Sequence, residues 1–464
     1  MKNFMDHNFL LETDTAKHLY HDYAAAQPII DYRSQIGAQD IYEDRRFENI
    51  TQLWLSSDPG KWRLMRNHGV DERYITGPAD DREKFQKLAE TLPYAAGNPL
   101  YHLCHMELKQ YFGYEGVLNG ETAQQVWDLC EQKLKEPDMG VRGLLQKGNV
   151  AFIGTVDDPC SDLSWHKKLA EDESFPVQVV PGFEPKVALH LDHPNFRDYI
   201  KQLSEVSGIS ITSLPYMCRA LTLRMEYFHT HGCRVASFEL DNVEYREITE
   251  DQATAALKKV LKGNRPTQEE VEGWKSLLLY HCAWECHKHG WAMQIFFGCE
   301  HNPNSRALNR RGIRVGFDSI AAGGNWQTVY KLLDSLEKLG QLPKTILCSL
   351  NPTDNAWLDT LVGAFQGPIV PGKIQHGAAW WYNNSKHGIV EHLESLAGLS
   401  VLGDFIGAFT DSVQPASQHE YFRRVLCNVL GNWVENGEYP NDDKALKELV
   451  EGICSGNAQR YFKV

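Results

Sequence analysis

The hydrophobic positions of the chain follow one pattern before about residue 148 and another after it. Between Asp80 and Gly140, apolar residues recur every three to four positions, which is typical of amphipathic helices. After residue 148, short apolar runs alternate with helical stretches, as in β–α units built around a parallel sheet. The pattern therefore predicts an α/β chain with a helical insertion over about residues 80–140, in its N-terminal part.

Eight apolar runs are predicted to be strands. They are Ile29–Tyr32, Val150–Val156, Val177–Pro181, Cys233–Phe238, Ala292–Phe297, Thr345–Leu350, Ile369–Gln375 and Phe405–Thr410. The outer helices predicted between and after them are Thr328–Leu339, Trp357–Phe365, His392–Leu402, Gln418–Gly431 and Asp443–Tyr461. Eight strands with helical connections are what a (β/α)8 barrel of the TIM type requires. We therefore expect residues 1–464 to form a single barrel domain that contains the helical insertion.

Composition and charge narrow the classes of partner. Of the 464 residues, 42% are hydrophobic, and the formal net charge of -14 disfavours nucleic acid and anionic membranes, which attract clustered Lys and Arg. No leader is evident, and no apolar run reaches the roughly 20 residues that span a bilayer. The eleven cysteines are scattered and form no CxxC pair. We expect a protein of the reducing cytoplasm.

The residues that follow the predicted strands are candidates for the active site, because barrel enzymes place their chemistry at the C-terminal strand ends. They are Arg33 and Gln35, Asp157 and Asp158, Glu184, Ser237 and Glu239, Cys299, Glu300 and His301, Asn351, His376, Trp380 and Trp381, and Asp411. Carboxylates dominate this set, and Arg33 is its one permanent cation. The set predicts a pocket for a neutral or cationic ligand, or for a hard cation.

Two of these groups have a structural and a functional interpretation. Asp158 lies in Asp157-Asp158-Pro159, where an Asp can simply cap the next helix. Trp380 and Trp381 can serve as ordinary packing or as a platform for a sugar ring. The sequence leaves both alternatives open.

Three further candidates could together form a metal or acid/base site. Asp411 follows an apolar run, where an unpaired carboxylate would be costly, so a functional role is favoured. His376 and His301 follow two other strands and could join Asp411 around a metal. The alternative is that both histidines are structural.

Several longer motifs carry a family resemblance. They are Asp44–Ile50, Gly69–Ile75, Thr345–Leu347 before Leu350–Pro352, Trp380–Asn383, His419–Arg424 and Gly437–Asp442. Through them the chain resembles the uronate isomerase (glucuronate isomerase) family from Phe4 to Phe462. The resemblance implies an amidohydrolase-type barrel that interconverts D-glucuronate with D-fructuronate and D-galacturonate with D-tagaturonate. It also implies proton transfer between C1 and C2, usually with a divalent metal such as zinc.

The chain departs from the family pattern at several strand ends. Arg33 and Gln35 stand where the family has its His-x-His metal pair, and Glu184 stands where it has an Arg suited to the substrate carboxylate. Phe296 replaces a His, and His301 replaces a nearby Arg. The family residues that persist are Asp411, Asp158, Trp380 and Trp381.

These departures lead to three hypotheses. The first is a diverged protein with lost or altered activity, a non-catalytic paralogue (pseudoenzyme) of the isomerases. The second is an enzyme with a rebuilt site that acts on a neutral sugar, in which metal binding or proton exchange falls to Cys299, Glu300, His301, His376 and Asp411. The third is a working uronate isomerase in which Arg33 holds the substrate carboxylate and Asp411 or Asp158 moves protons.

The predicted roles can then be assigned by residue. The catalytic candidates are Arg33, Asp158 and Asp411, and the substrate-binding candidates are Gln35, His301, His376, Trp380 and Trp381. Asp411 is the predicted metal ligand, with His301 and His376 as replacements, although most family ligands are substituted and the cofactor stays open. The expected partner is a sugar or sugar acid. Homo-oligomerisation suits such a barrel, but no feature fixes the number of subunits.

Overall fold

The computed structural model describes residues 3–241, 243, 245–323, 326–410 and 414–464. Within these ranges the fold is mixed α/β. The strands are β1 (Ile29–Asp31), β2 (Val150–Gly154), β3 (Gln178–Val180), β4 (Val235–Glu239), β5 (Ala292–Phe297), β6 (Cys299–Glu300), β7 (Ser319–Ile320), β8 (Lys344–Ser349) and β9 (Ile374–His376).

The α-helices lie before, between and after these strands. They are α1 (Asp14–His18), α2 (Ala38–Tyr42), α3 (Ile50–Leu55), α4 (Pro59–Asn67), α5 (Asp81–Thr91), α6 (Pro99–Phe112), α7 (Ala123–Leu134), α8 (Val141–Lys147), α9 (Ser164–Glu171), α10 (Lys186–Leu189), α11 (Phe196–Ser207), α12 (Leu214–Thr230), α13 (Glu250–Leu261), α14 (Gln268–His289), α15 (Ser305–Arg311), α16 (Trp326–Glu337), α17 (Asn355–Ala364), α18 (Lys386–Leu399), α19 (Pro415–Glu435), α20 (Asp443–Glu451) and α21 (Asn457–Phe462). No helix of the described ranges has the length and apolar character needed to cross a membrane.

The strands form two parallel sheets, in the orders β1-β2-β3 and β4-β5-β8-β9. Phe183 connects the sheets, because it forms isolated parallel bridges with both Asp157 and Ala236. β6 and β7 form a separate antiparallel pair. All six residues of β5 are buried, as expected for a parallel strand covered on both faces. The carboxyl ends of the strands therefore present their following residues at a common edge.

Most predicted elements are confirmed. The amphipathic pattern over residues 80–140 corresponds to α5, α6 and α7, and the predicted outer helices correspond to α16 through α20. The strand prediction holds for the first six runs, with ends shifted by a few residues. The seventh strand begins five residues later than predicted, at Ile374. Pro371 lacks the N–H that a ladder needs, and Gly372 has a φ of 59°, which places a turn there.

The eighth predicted run, Phe405–Thr410, belongs to no strand ladder. Two of its amide groups bond to side chains instead. The Ile406 amide donates to Oε1 of Gln375 (3.3 Å), and the Thr410 amide donates to Oδ1 of Asp31 (3.0 Å). Gly407, at a φ of 75°, further interrupts the regular backbone. A hydrophobicity pattern carries no information about such side-chain partners.

Candidate active site

Arg33 is the centre of the candidate site. It follows β1, and its side chain is only 2% exposed. Its Nη2 donates to Oε1 of Glu239 (2.8 Å) and lies 3.6 Å from Oε1 of Glu184. The guanidinium also lies 4.4 Å above the centre of the Phe296 ring, within the range of a cation–π contact. Strands β1, β4 and β5, and the segment after β3, thus deliver interacting side chains to one place.

Two further cations lie against Glu239. Lys186, at the start of α10, donates to Oε2 of Glu239, and Nη2 of Arg314 lies 3.7 Å from the same oxygen. Unlike Arg33, these side chains reach solvent, because Lys186 is 36% exposed and Arg314 is 65% exposed. We call Arg33, Glu184, Lys186, Glu239 and Arg314 the strand-end ion cluster. The strand-end residues alone predict one permanent cation, Arg33, whereas the cluster contains three.

The two carboxylates of the strand-end ion cluster differ in proton affinity. Burial, and then the charge of Glu239, raise the pKa of Glu184 above its ordinary range, against the opposing effect of Arg33. Burial also acts to raise the pKa of Glu239, but the charges of Arg33 and Lys186 outweigh it and lower that pKa. Glu239 is therefore a fixed anion, while Glu184 can exchange a proton near neutral pH.

Aromatic side chains border the same site. The Trp380 ring makes an edge contact with Phe296, with 4.8 Å between ring centres. Nε1 of Trp380 is buried and has no hydrogen-bond partner among the described residues. Trp381, at a φ of 50°, stacks on Tyr382 with 4.7 Å between centres. A buried N–H without a partner is costly, which suits Trp380 to donate to a ligand.

A second polar group lies just beyond β5. Nδ1 of His301 is 3.5 Å from Sγ of Cys299 and 3.2 Å from Oδ1 of Asp318. Nε2 of the same ring lies 3.6 Å from Oδ1 of Asp241. The contacts with Asp318 and Cys299 raise the pKa of His301 to about 10. His301 is thus a candidate residue that the structure places among polar partners at a strand end.

His376 has a different environment from the one predicted. Its Nδ1 is 2.7 Å from Oδ1 of Asp359 on α17, and Ser395 on α18 donates to the other oxygen of that carboxylate (2.5 Å). The ring also packs on His392, with 4.3 Å between centres. These contacts connect β9 to the two helices outside it, and none of them joins His376 to the strand-end ion cluster.

Of the remaining candidates, Asp158 and Gln35 lie within the described residues. The Asp158 carboxylate accepts from the amide of Cys160 (2.8 Å) within the loop, and burial raises its pKa. It does not cap the next helix, α9, which begins at Ser164 and has Leu163 at its N-cap position. Gln35 is exposed. Asp411, the predicted catalytic residue and metal ligand, lies outside the described residues.

The divalent metal that the resemblance implies does not fit the residues at β1. A metal ligand needs a lone pair, and the guanidinium of Arg33 has none to offer. Its charge is already matched by Glu239 at 2.8 Å. A cation at this position would meet a buried positive charge.

Most residues of the strand-end ion cluster have no role that the sequence alone predicts. Glu184 and Glu239 follow strands as carboxylates without an assigned role, and Lys186, Arg314 and Asp318 are not among the strand-end candidates. One signal was available: a cation appears at the end of β1 while carboxylates appear after β3 and β4. Opposite charges at neighbouring strand ends predict ion pairs, whereas Lys186, Arg314 and Asp318 lie in loops or at a helix start whose path the pattern does not reveal.

The chain is similar to uronate isomerases over its whole length. A family profile described as glucuronate isomerase matches residues 1–462. The uronate isomerase of Lachnospira eligens is 49% identical over 464 residues, covering 100% of this chain and 99% of that protein. The uronate isomerase of Geobacillus thermodenitrificans is 43% identical over 464 residues, with the same coverage of 100% and 99%.

Solved structures give the same result. The uronate isomerase of Thermotoga maritima superposes with a TM-score of 0.93 at 29% identity, covering 99% of this chain and 100% of that one. The glucuronate isomerase of Caulobacter crescentus gives a TM-score of 0.91 at 21% identity, covering 99% and 97% of the two chains. The second similarity concerns the fold alone.

Proposed function

The chain belongs to the glucuronate isomerase (uronate isomerase) family, and from this premise we propose that it is a working uronate isomerase with a rebuilt site. Its substrate would be a hexuronate, such as D-glucuronate or D-galacturonate, converted between the aldose and ketose forms. The observation that carries the proposal is Glu184, a carboxyl of raised pKa that lies among cations. Family membership gives no support to the loss of activity that the substituted motifs predict.

Lys186 and Arg314 are suited to hold the substrate carboxylate. Both are partly exposed and both lie against Glu239, which neutralises only part of their charge. A uronate carboxylate can share these donors through charge-assisted hydrogen bonds. In this proposal Arg33, which the sequence suggested for that role, instead remains paired with Glu239 beneath the substrate.

Glu184 is the proposed proton carrier. In its ionised form it takes the proton from C2 of the open-chain aldose, and the electron pair of that C–H bond forms the C1–C2 double bond of an enediolate. The carboxyl then returns the proton to C1, while the hydroxyl proton of O2 passes to O1. The cation of Arg33 favours the negative enediolate, and Nε1 of Trp380 donates to a sugar oxygen. No step is assigned to a metal at β1, because the residues there do not fit one.

We also propose that the two parallel sheets are arcs of one (β/α)8 barrel, with residues 1–464 as a single domain and about 80–140 as a helical insertion. Phe183 supports this arrangement through its bridges to Asp157 and Ala236, which connect β2 and β4. At the other side, Asp31 of β1 accepts hydrogen bonds from Thr410.

The test is a turnover assay on the purified chain with D-glucuronate and D-galacturonate, in which ketose formation is followed by NMR in heavy water. We expect conversion with deuterium incorporated at the transferred position. Glu184→Gln should lower kcat by about 10²–10⁴-fold, the usual contribution of a positioned acid/base group. Lys186→Met should raise KM with a smaller effect on kcat, because it removes a charge that binds substrate before and during the reaction.

Glu205→Gln is the matched control, since Glu205 is an exposed glutamate on α11. Its kinetics should equal those of the wild type. The proposal is wrong if the wild type converts neither sugar, or if Glu184→Gln and the wild type turn over equally fast.

A further inference from the structure

The side chains of Cys299, His301 and Asp318 converge on one point beyond β5. Cys299 belongs to β6, and Asp318 immediately precedes β7, so the antiparallel pairing of these two strands sets their separation. One ligand atom from each side chain lies within 4.8 Å of those from the other two. Cys299 and Asp318 are buried, whereas His301 reaches solvent.

Hydrogen bonding alone does not account for this arrangement. Sγ of Cys299 and Oδ1 of Asp318 both approach the same nitrogen, Nδ1 of His301, at 3.5 and 3.2 Å. A ring nitrogen has either one proton or one lone pair, so it can make one strong hydrogen bond, and sharing it between both neighbours weakens each contact. Three potential ligands directed at one centre are instead typical of a cation site.

The backbone around the three side chains is held in place independently of any cation. The amide of Asn302 donates to Oδ1 of Asp318 (3.0 Å), which orients the carboxylate. Arg63 and Tyr382 both donate to the backbone oxygen of Asp318, at 2.6 and 2.9 Å. Such supporting contacts are typical of metal sites, where outer groups orient the ligands.

We infer that Cys299, His301 and Asp318 form a zinc site. Thiolate, imidazole and carboxylate are the three ligand types that zinc binds. Around a tetrahedral zinc with ordinary bond lengths, the nitrogen–sulfur edge is about 3.6 Å and the nitrogen–oxygen edge about 3.4 Å. The corresponding separations here are 3.5 and 3.2 Å. These two edges therefore already match a tetrahedral zinc, and the sulfur and oxygen atoms lie within 4.8 Å of each other.

Three protein ligands leave the fourth position of a tetrahedral zinc open, and His301 among them reaches solvent. Beyond the three ligands, Oδ1 of Asp241 lies 3.6 Å from Nε2 of His301. Three protein ligands with an open fourth position resemble catalytic rather than structural zinc sites. The ligand for that position would be water or a hydroxyl or carboxylate oxygen of a small molecule.

This site is separate from β1, where Arg33 excludes a cation. It is also independent of the proposed role of Glu184, because zinc binding is measured without substrate. The imidazole and the thiol must release their protons to coordinate, so zinc affinity should increase with pH.

The experiment uses the full chain after treatment with a chelator. Zinc is titrated in competition with a chromophoric chelator, and cobalt(II) is added to a second sample as a spectroscopic probe. We expect one equivalent of zinc per chain and a sulfur-to-cobalt charge-transfer band. Cys299→Ser should remove that band, and both Cys299→Ser and Asp318→Asn should weaken zinc binding by about tenfold or more.

Cys218→Ser is the matched control, because Cys218 is a half-buried thiol on α12, away from the cluster. It should keep both the stoichiometry and the cobalt band. Circular dichroism verifies folding, and His301→Asn, a substitution at an exposed position, provides a second variant if Cys299→Ser does not fold. The inference is overturned if the wild type binds no zinc, or if the cobalt band and zinc affinity are unchanged in Cys299→Ser and His301→Asn.

Discussion

Arg33 shows how substitutions at separate positions depend on one another. A buried cation alone would be strongly unfavourable, but Glu239 lies 2.8 Å and Glu184 3.6 Å from its guanidinium. Arg33 and Glu184 both differ from the residues that the family resemblance implies, and the charges of Arg33 and the two glutamates compensate one another. The burial of Arg33 therefore depends on both carboxylates.

The Arg33–Glu239 pair should therefore matter for stability. Arg33→Met leaves a partly buried carboxylate without its closest partner, and we expect a loss of about 3–5 kcal/mol in the free energy of unfolding. Arg45→Met is the control, because the Arg45–Asp40 pair is nearly half exposed and should contribute about 1 kcal/mol or less. Urea denaturation measures both. Equal losses in the two variants would contradict the importance of burial at Arg33.

Glu184 should make stability depend on pH in the direction opposite to most carboxylates. Its pKa is raised in the folded protein, so the unfolded chain releases this proton more readily and stability falls as pH rises above the ordinary Glu pKa of about 4.3. Glu184→Gln removes that loss. Relative to the wild type, the free energy of unfolding of the variant should increase by on the order of 1–3 kcal/mol between about pH 5 and about pH 8.

Denaturant titrations of both proteins across that pH range check this prediction. Glu205→Gln, an exposed substitution, should parallel the wild type throughout. A stability difference between Glu184→Gln and the wild type that stays constant with pH would show that the carboxyl does not titrate in this range.

At the scale of elements, local patterns predicted helices better than strand pairing. Apolar spacing identified α5, α6 and α7 because a helix buries one stripe of its own residues. Phe405–Thr410 has an equally strong apolar pattern, yet its amides bond to the side chains of Gln375 and Asp31. Those partners are distant in sequence, and no local pattern specifies them.

Thr410 is expected to hold this segment against β1. Its Oγ1 donates to Oδ2 of Asp31 at 2.6 Å, and both side chains are buried. Thr410→Val keeps the shape but removes the donor, and should lower the free energy of unfolding by about 1.5–3 kcal/mol, as for a buried hydrogen bond to a charged group. Thr410→Ser keeps the hydroxyl and should lose less. Thermal or urea unfolding of the two variants distinguishes them, and a Ser variant as unstable as the Val variant would assign the effect to the lost methyl group.

For the molecule as a whole, the sequence predicted more of the scaffold than of the site. The α/β class, the parallel sheets and the family follow from repeated patterns and long motifs, which survive many substitutions. The strand-end ion cluster forms because the chain brings Lys186 and Arg314 close to Glu239. The environment of His376 is likewise set by its pairing with Asp359. Such pairings are set by the three-dimensional path of loops and side chains.

Buried and half-buried histidines spread through the fold should make the whole molecule sensitive to mild acid. Burial lowers the pKa of His166 and His190 to about 4 and that of His419 to about 3, and it lowers the pKa of His392 well below its ordinary value. The unfolded chain binds these protons near the ordinary His pKa of about 6.5, so stability should be lost as pH falls below that value.

Most carboxylates do not titrate in this pH window, because those with lowered pKa values affect stability mainly below about pH 4.5. Glu184 and Asp157, whose pKa values are raised, act in the opposite direction and partly offset the histidines, so the histidine contribution is isolated by comparing variants. Each buried histidine should lower the free energy of unfolding by roughly 1–2 kcal/mol at about pH 5.

His419→Phe should therefore reduce the slope of stability against pH between about pH 6.5 and about pH 5, whatever its effect at neutral pH. His387→Gln, at a side chain that is 82% exposed, is the control and should leave the slope unchanged. Urea unfolding at closely spaced pH values measures the slope, and an equal slope in His419→Phe and the wild type would contradict the assignment to His419.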